Sequence, residues 1–384
     1  MRDEIQYGRW IMKRILMVVN VMDRGGVETL LMNIYRKINR NQYQFDFLTH
    51  PYDIDKKQEY EEEILSLGGR IYKAPRFSRT PIKYRTYINN LFRNHPEYEI
   101  VHAHNLDMAA SVYMPLAKKY DRYLIAHAHN DSERGGKLRQ SILQLNHLAL
   151  RKYPDFYFAC AQSAGEFFFG HSIATSENYR IIYNGIDVEQ YRVNEETHLQ
   201  YKRSLFPDVT GPIFGNVGRL SAQKNQSFLL DIFSEITGES PDARLVILGK
   251  GELLGELKEK AKRLHVEDRV VFPGSVPNAS DYLKAFDVFL FPSLYEGLPL
   301  AAVEAQASGL PTLLSDAISR MVKSSDRIQF ISLEASPKEW AHEALARYGE
   351  EQGNRHDCVQ QVRDAGFDID QISKDLVKFY EGKA

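Results

Sequence analysis

Short apolar runs alternate with longer segments of helical periodicity along almost the whole chain. In the first half the runs are "RILMVVN" (14–20), "QFDFLTH" (44–50), "RIYKA" (70–74), "EIVHAH" (99–104), "RYLIAHAH" (122–129), "DFYFACA" (155–161) and "YRIIYNG" (179–185). A second series follows: "PIFGNVG" (212–218), "ARLVILG" (243–249), "RVVFPG" (269–274), "FDVFLFPS" (286–293), "PTLLSD" (311–316) and "IQFIS" (328–332). Continuous hydrophobicity marks strands covered by helices on both faces. Strands alternating with helical segments predict parallel α/β construction. The polar stretch around 187–210, with "RVNEETHLQYKRSLFPDVTG", breaks the rhythm. The expected organisation is a loose extension over 1–12 and a Rossmann-like domain over 13–190. A linker over 191–210, a second Rossmann-like domain over 211–365 and a C-terminal helix over 366–384 complete it. Two doubly wound domains facing each other across a cleft would bind ligands at the carboxyl ends of their strands.

The length of 384 residues suits two domains better than one core. A composition of 43% hydrophobic and 26% charged residues is that of a globular chain, and the net charge of −2 gives no case for nucleic acid as a partner. Cys160 and Cys358 stand far apart, which points to buried thiols in a reducing compartment. No apolar run reaches the roughly 18 residues a membrane span needs, and the first twenty residues lack the apolar core of a signal peptide. The expected location is cytoplasmic.

Candidate chemistry gathers where strands end. Gly25 and Gly26 in "NVMDRGGVETLLMNIYRKI" follow the first strand and open a helix, where free N–H groups suit an anion; an ordinary βα turn is the competing reading. The spacing is not GxGxxG, which argues against a nicotinamide dehydrogenase. Two HxH pairs, His102/His104 in "VHAHN" and His127/His129 in "AHAHND", each put both rings on one strand face. They read as satisfied polar residues, as a metal site, or as a cleft acid/base. No carboxylate or cysteine cluster supports metal, and His129 lies furthest out.

"GNVGRLSAQKN" sets Gly218 and Arg219 at a strand end and Lys224 five residues later. The pair reads as a diphosphate clamp or as two solvated charges. "LVILGKGEL" adds Gly249 and Gly251 in a turn suited to close contact with a nucleoside. In "FPSLYEGLPLAAVEAQASGLPTLLSD" Glu296 falls in the loop after a buried strand. Glu304 falls about two turns into the next helix, on a stripe with Leu300 and Ala301. A buried carboxylate without a partner costs several kcal/mol or so. Vicinal hydroxyls are natural partners; internal salt bridges are the alternative.

Taken in order, "RGGVETLLMNIYR", "NGID", the "GRL…K" element and the E-x7-E pattern of "EGLPLAAVE" resemble the GT4 family of retaining glycosyltransferases, of GT-B fold, over roughly 13–380. "ACAQSAGEFFFG" (159–170) and the N-terminal wording are similar to Eps-type transferases of Firmicute exopolysaccharide operons. The resemblance implies that Glu304 binds the donor's ribose, Glu296 the transferred sugar, and Arg219 and Lys224 the diphosphate leaving group. Gly297 and Leu298 would offer backbone N–H groups, and Gly26 would approach the diphosphate from the other domain. His129 matches the family's histidine beside the reacting sugar, with His127 as competitor; His104, Asn105 and Asn130 are further acceptor-side candidates. Ala301-Ala302 departs from the larger residue many members carry before the second glutamate. The C-terminal helix would pack back on the first domain.

Family precedent also implies same-face attack with retention, no cofactor, and no metal. The "DID" triplets at 53–55 and 368–370 lie in polar segments away from strand ends. The donor would be a nucleotide-sugar, by family weight a UDP-sugar. The acceptor would be a saccharide on a polyprenyl diphosphate, with the membrane surface and other exopolysaccharide enzymes as partners. Basic stretches such as "RFSRTPIKYR" and "RGGKLRQSILQLNHLALRK" fit docking on anionic lipid or are solvated helix faces. The rival classes are a nucleotide-sugar epimerase on the same fold and a non-catalytic nucleotide-sugar-binding protein.

Overall fold

The computed structural model describes residues 12–23, 25–129, 146–351 and 355–383. The chain divides into two compact units, 1–184 with 369–384, and 185–368.

The first unit is built on β1 (Lys13–Val19), β2 (Tyr43–Thr49), β3 (Ile71–Lys73), β4 (Ile100–Ala103), β5 (Tyr123–Ala128), β6 (Phe156–Ala159) and β7 (Tyr179–Ile181), in the order β3-β2-β1-β4-β5-β6-β7. All pairings are parallel. Met17, Phe45, Phe47, Ile100, Ile125 and Phe158 pack one face of the sheet against Ile369, Ile372, Leu376 and Tyr380 of the helix Ile369–Glu381. The last helix of the chain is thus part of this unit's core.

The second unit uses β8 (Ile213–Val217), β9 (Arg244–Leu248), β10 (Val270–Gly274), β11 (Val288–Phe291), β12 (Thr312–Ser315) and β13 (Ile328–Ile331), in the order β10-β9-β8-β11-β12-β13, again all parallel. Its core joins Phe214, Leu245, Leu290 and Leu313 of the sheet to Leu229 and Phe233 of the helix Gln226–Glu239 and to Trp340. The strand order reverses between β1 and β4 in one unit and between β8 and β11 in the other. At these two points neighbouring βα loops diverge and leave a crevice.

Every predicted run forms a strand, shorter by a residue or more at most ends. The stretch expected as a linker over 191–210 instead carries the helix Glu195–Leu205, started by a reciprocal cap between Asn194 and Thr197. It packs within the second unit: His198 and Lys202 reach Asp287 at 3.2 and 2.7 Å. The unit boundaries accordingly fall at 184/185 and 368/369 rather than at 190 and 366. The extension over 1–12 lies outside the described residues apart from Met12.

Candidate active site

At the second unit's switch point, the loops after β8 and β11 are tied to each other. Leu294 N donates to Gln223 O at 2.9 Å, Gln223 Nε2 to Tyr295 O at 3.0 Å, and Asn225 Nδ2 to Pro292 O at 3.1 Å. Asn225 holds φ 54°, a left-handed conformation that asparagine tolerates better than most residues. These bonds aim Lys224 at the loop that carries Glu296. Its Nζ lies 2.6 Å from Glu296 Oε1, the side chains only 17% and 11% exposed, and 4.7 Å from the Phe291 ring centroid. The two residues expected to share one ligand are therefore ion-paired, with Glu296 held further by a bridge to Ile318.

Of the three glycines around this loop, Gly249 and Gly251 owe their identity to close backbone packing. Gly249 takes φ 134°, and a Cβ there would meet Gly218 O at 1.9 Å. A Cβ on Gly251 would meet Leu220 O at 2.1 Å, and one on Gly218 the Lys224 stem at 3.2 Å. The turns after β8 and β9 thus brace each other, joined by Leu220 N to Lys250 O at 3.0 Å. Gly297 is exposed and Leu298 half-buried in the β11 loop.

Pro299 stands in extended backbone as the cap of the helix Leu300–Ala307, so Glu304 lies little more than one turn in, not two. Burial pushes its carboxyl above the ordinary value, while a hydrogen bond from the Tyr191 hydroxyl works the other way. Burial and the facing carboxylate together hold Tyr191 protonated. Arg219 does not join Lys224: its side chain is 73% exposed and pairs with Glu252 at 3.1 Å. The solvated-charge reading describes Arg219 better than a preformed clamp does.

Sequence reasoning missed Tyr191, Gln223 and Asn225. An asparagine at the start of a helix was a readable signal; Tyr191, inside a polar stretch, carried none.

In the first unit Gly25 caps the helix Gly26–Lys37, and a Cβ at Gly26 would meet nothing within 4 Å. Near the carboxyl ends of β4 and β5 the four histidines form a ladder. Ring centroids are 4.2 Å apart for His102–His104 and 4.1 Å for His127–His129. His104 Nδ1 and His129 Nε2 lie 2.8 Å apart. His102 and His127 are buried, whereas His104 and His129 are half-buried toward the strand ends. Burial, reinforced by the neighbouring rings, pushes His102, His104 and His127 well below the ordinary histidine value. Burial takes His129 down to about 4 against an opposing hydrogen bond with Asn184. All four are neutral at pH 7. Asn105 is buried and engaged locally, with Nδ2 3.2 Å from His50 Nδ1 and Oδ1 accepting from Asp107 N. Asn130 lies outside the described residues.

Neither acidic triplet is arranged as a ligand set. Asp53 accepts from Asp55 N in an exposed turn, and Asp368 pairs with Arg363 at 2.6 Å. Cys160 and Cys358 are both buried, and the Cys160 thiol donates to His129 O at 3.3 Å.

Two parallel Rossmann-like units, each with its switch point furnished in this way, define a glycosyltransferase of the GT-B fold. Residues 24–190 match the model "Glycosyltransferase Family 4" and residues 199–364 the model "Glycosyl transferases group 1". The chain belongs to the GT4 glycosyltransferase family. It is 33% identical over 374 residues to EpsF of Bacillus subtilis (strain 168), covering 96% of each chain. It is 37% identical over 145 residues to the UDP-Gal:alpha-D-GlcNAc-diphosphoundecaprenol alpha-1,3-galactosyltransferase of Escherichia coli, covering 35% of this chain and 36% of that one. Among solved structures, HepE of Anabaena in complex with UDP superposes with a TM-score of 0.78 at 18% identity, over 97% of this chain and all of that one. That last likeness is one of fold.

Proposed function

We propose that this glycosyltransferase moves a hexose or N-acetylhexosamine, with retention, from a UDP-sugar to a lipid-diphosphate-linked saccharide during exopolysaccharide synthesis. The observation that carries the reading is the Lys224–Glu296 pair at the second unit's switch point, with Glu304 one helix further on. As the glycosidic bond breaks, negative charge grows on the departing diphosphate. A fixed ammonium then stabilises the transition state more than the ground state. Glu296, once Lys224 turns to phosphate, accepts from hydroxyls of the transferred sugar. Glu304, its carboxylate already accepting from Tyr191, has lone pairs left for the ribose diol.

The UDP assignment is supported by the UDP complex of HepE and by the donor in the Escherichia coli relative's name. The same name supports a polyprenyl-diphosphate acceptor. The resemblance of "ACAQSAGEFFFG" and the N-terminal wording to Eps-type transferases supports the exopolysaccharide setting.

No helix among the described residues is long and apolar enough to cross a membrane. Peripheral docking at the inner face is favoured by an exposed patch on the first unit. The guanidinium groups of Arg76 and Arg79 lie 4.6 and 4.5 Å from the ring centroid of exposed Tyr52, with Ile82 81% exposed nearby in sequence. Exposed apolar side chains among cations suit an anionic lipid interface. Of the second basic stretch, 134–145 lies outside the described residues.

A panel of sugar nucleotides, read first by thermal stabilisation and then by sugar transfer to a polyprenyl-diphosphate saccharide, tests the reading. Transfer only when acceptor is present is expected. Product from the donor alone would mark an epimerase, and binding without turnover a non-catalytic protein.

A further inference from the structure

The histidine ladder of the first unit has ring nitrogens that neither the fold nor the proposed transfer uses. His102 Nε2, His104 Nε2 and both nitrogens of His127 are buried without a hydrogen-bond partner. One nitrogen from each of these three rings lies within 4.8 Å of the other two. Unpaired imidazole nitrogens do not persist in a core without a compensating role. We propose that His102, His104 and His127 bind one borderline-soft divalent cation of the zinc type.

The placement follows from strand register. His102 sits opposite Ile125 on paired β4 and β5, so His104 falls beside His127 on the same sheet face. Phe158 lines the pair at 5.7 Å from each of the His102 and His127 centroids. Neutral imidazoles in an apolar surround are the ligand form that zinc, nickel and copper prefer. Zinc–nitrogen bonds of about 2.0–2.1 Å put tetrahedral ligand atoms roughly 3.4 Å apart. The widest gap therefore closes by about 1.4 Å of side-chain rotation. Among the described residues no carboxylate joins the three rings, which leaves a fourth position for water or hydroxide, whose charge offsets part of the cation's.

Supporting groups stand where such a site needs them. The Tyr380 hydroxyl is 2.6 Å from His102 Nδ1, and His129 Nε2 is 2.8 Å from His104 Nδ1. With each Nδ1–H donating to these partners, Nε2 of His102 and of His104 keeps a lone pair that an ion could take. The same arrangement fixes His129 as the tautomer protonated on Nδ1. The C-terminal helix, through Tyr380, and the strand-end histidine both report on the ion.

The test uses the full chain, stripped with a chelator and titrated with Co(II) and then Zn(II). One Co(II) per chain is expected, with the visible absorption of a four-coordinate nitrogen site, displaced by Zn(II). His102→Gln and His127→Gln should abolish uptake, whereas His171→Gln on the surface should not. If the core variants fail to fold by circular dichroism, Tyr380→Phe decides. It removes only the hydroxyl facing His102 and should weaken Zn(II) binding about 10- to 100-fold. No stoichiometric uptake, uptake unchanged in folded His127→Gln, or unaltered affinity in Tyr380→Phe would each overturn the proposal. Uptake and donor binding are read separately, so either can fail without the other.

Discussion

Replacing Lys224 by methionine keeps an unbranched stem over Gly218 and the Phe291 ring but removes the ammonium 2.6 Å from Glu296. The stranded carboxylate is 11% exposed. Exposed ion pairs contribute about 0–1 kcal/mol, whereas breaking a buried one costs about 3–5 kcal/mol. This pair sits between those limits, so a loss of about 2 kcal/mol is expected. For a unit of this size, that lowers the second unit's melting temperature by roughly 4–8 °C. Glu296→Gln in the same background removes the stranded charge and should restore most of the loss. A double-mutant cycle by calorimetry should give a coupling of about 1–2 kcal/mol. Sugar transfer is expected to fall about 10²- to 10³-fold in Lys224→Met, the scale for losing one preorganised group that stabilises transition-state charge. The double variant should not regain it, which separates stability from chemistry. Wild-type turnover in Lys224→Met, or zero coupling in the cycle, would refute the reasoning.

Other expectations follow from the same geometry. Gly249→Ala forces a Cβ against Gly218 O at a strained φ of 134°, and should lose about 3 kcal/mol or more in urea unfolding. Glu304→Gln should abolish UDP binding by calorimetry yet raise the melting temperature. The folded carboxyl is raised above its ordinary value of 4.5, so its contribution to stability falls as pH rises from there through the folded value. The variant's advantage should therefore grow over that window and level off above it; an advantage confined to low pH would contradict the assignment. The histidine ladder has the opposite sign. Its folded values are depressed, His129 to about 4, so stability present above about pH 6.5 is lost as pH falls through the folded values. The unfolded chain takes up protons over that range, so the first unit's melting temperature should fall as pH drops from 7 to 5. Melting of the first unit that stays constant between pH 7 and 5 would exclude this. Charge-reversal of Arg76 and Arg79 to glutamate should abolish sedimentation with anionic vesicles at low salt; unchanged sedimentation would remove the patch from the docking surface.

Strand positions were legible because buried parallel strands are apolar on both faces, and thirteen such runs have no other use in a chain of this composition. The helix Glu195–Leu205 was not, since its inward anchors are polar. His198 and Lys202 look solvated until folding brings Asp287, far along the chain, against them. The Asn194–Thr197 cap was the available signal. At the site, the glutamate spacing exposed Glu296 and Glu304, but pairing is a matter of tertiary proximity. Nothing local announces that Lys224 meets Glu296, that Tyr191 meets Glu304, or that Tyr380 meets His102 across 278 positions. Arg219 shows the converse error: two cations near one strand end suggest a clamp, yet only Lys224 is held toward the carboxylate loop. Glycines at strand ends invited a ligand-contact reading when Gly249 and Gly251 are also demanded by the neighbouring backbone.

The most direct measurement is a crystal structure of the chain with UDP. The ribose hydroxyls should lie within hydrogen-bond distance of Glu304, and the diphosphate should have drawn Lys224 away from Glu296. UDP bound elsewhere, or bound with Lys224 still paired to Glu296 and Glu304 untouched, would contradict the donor site described above.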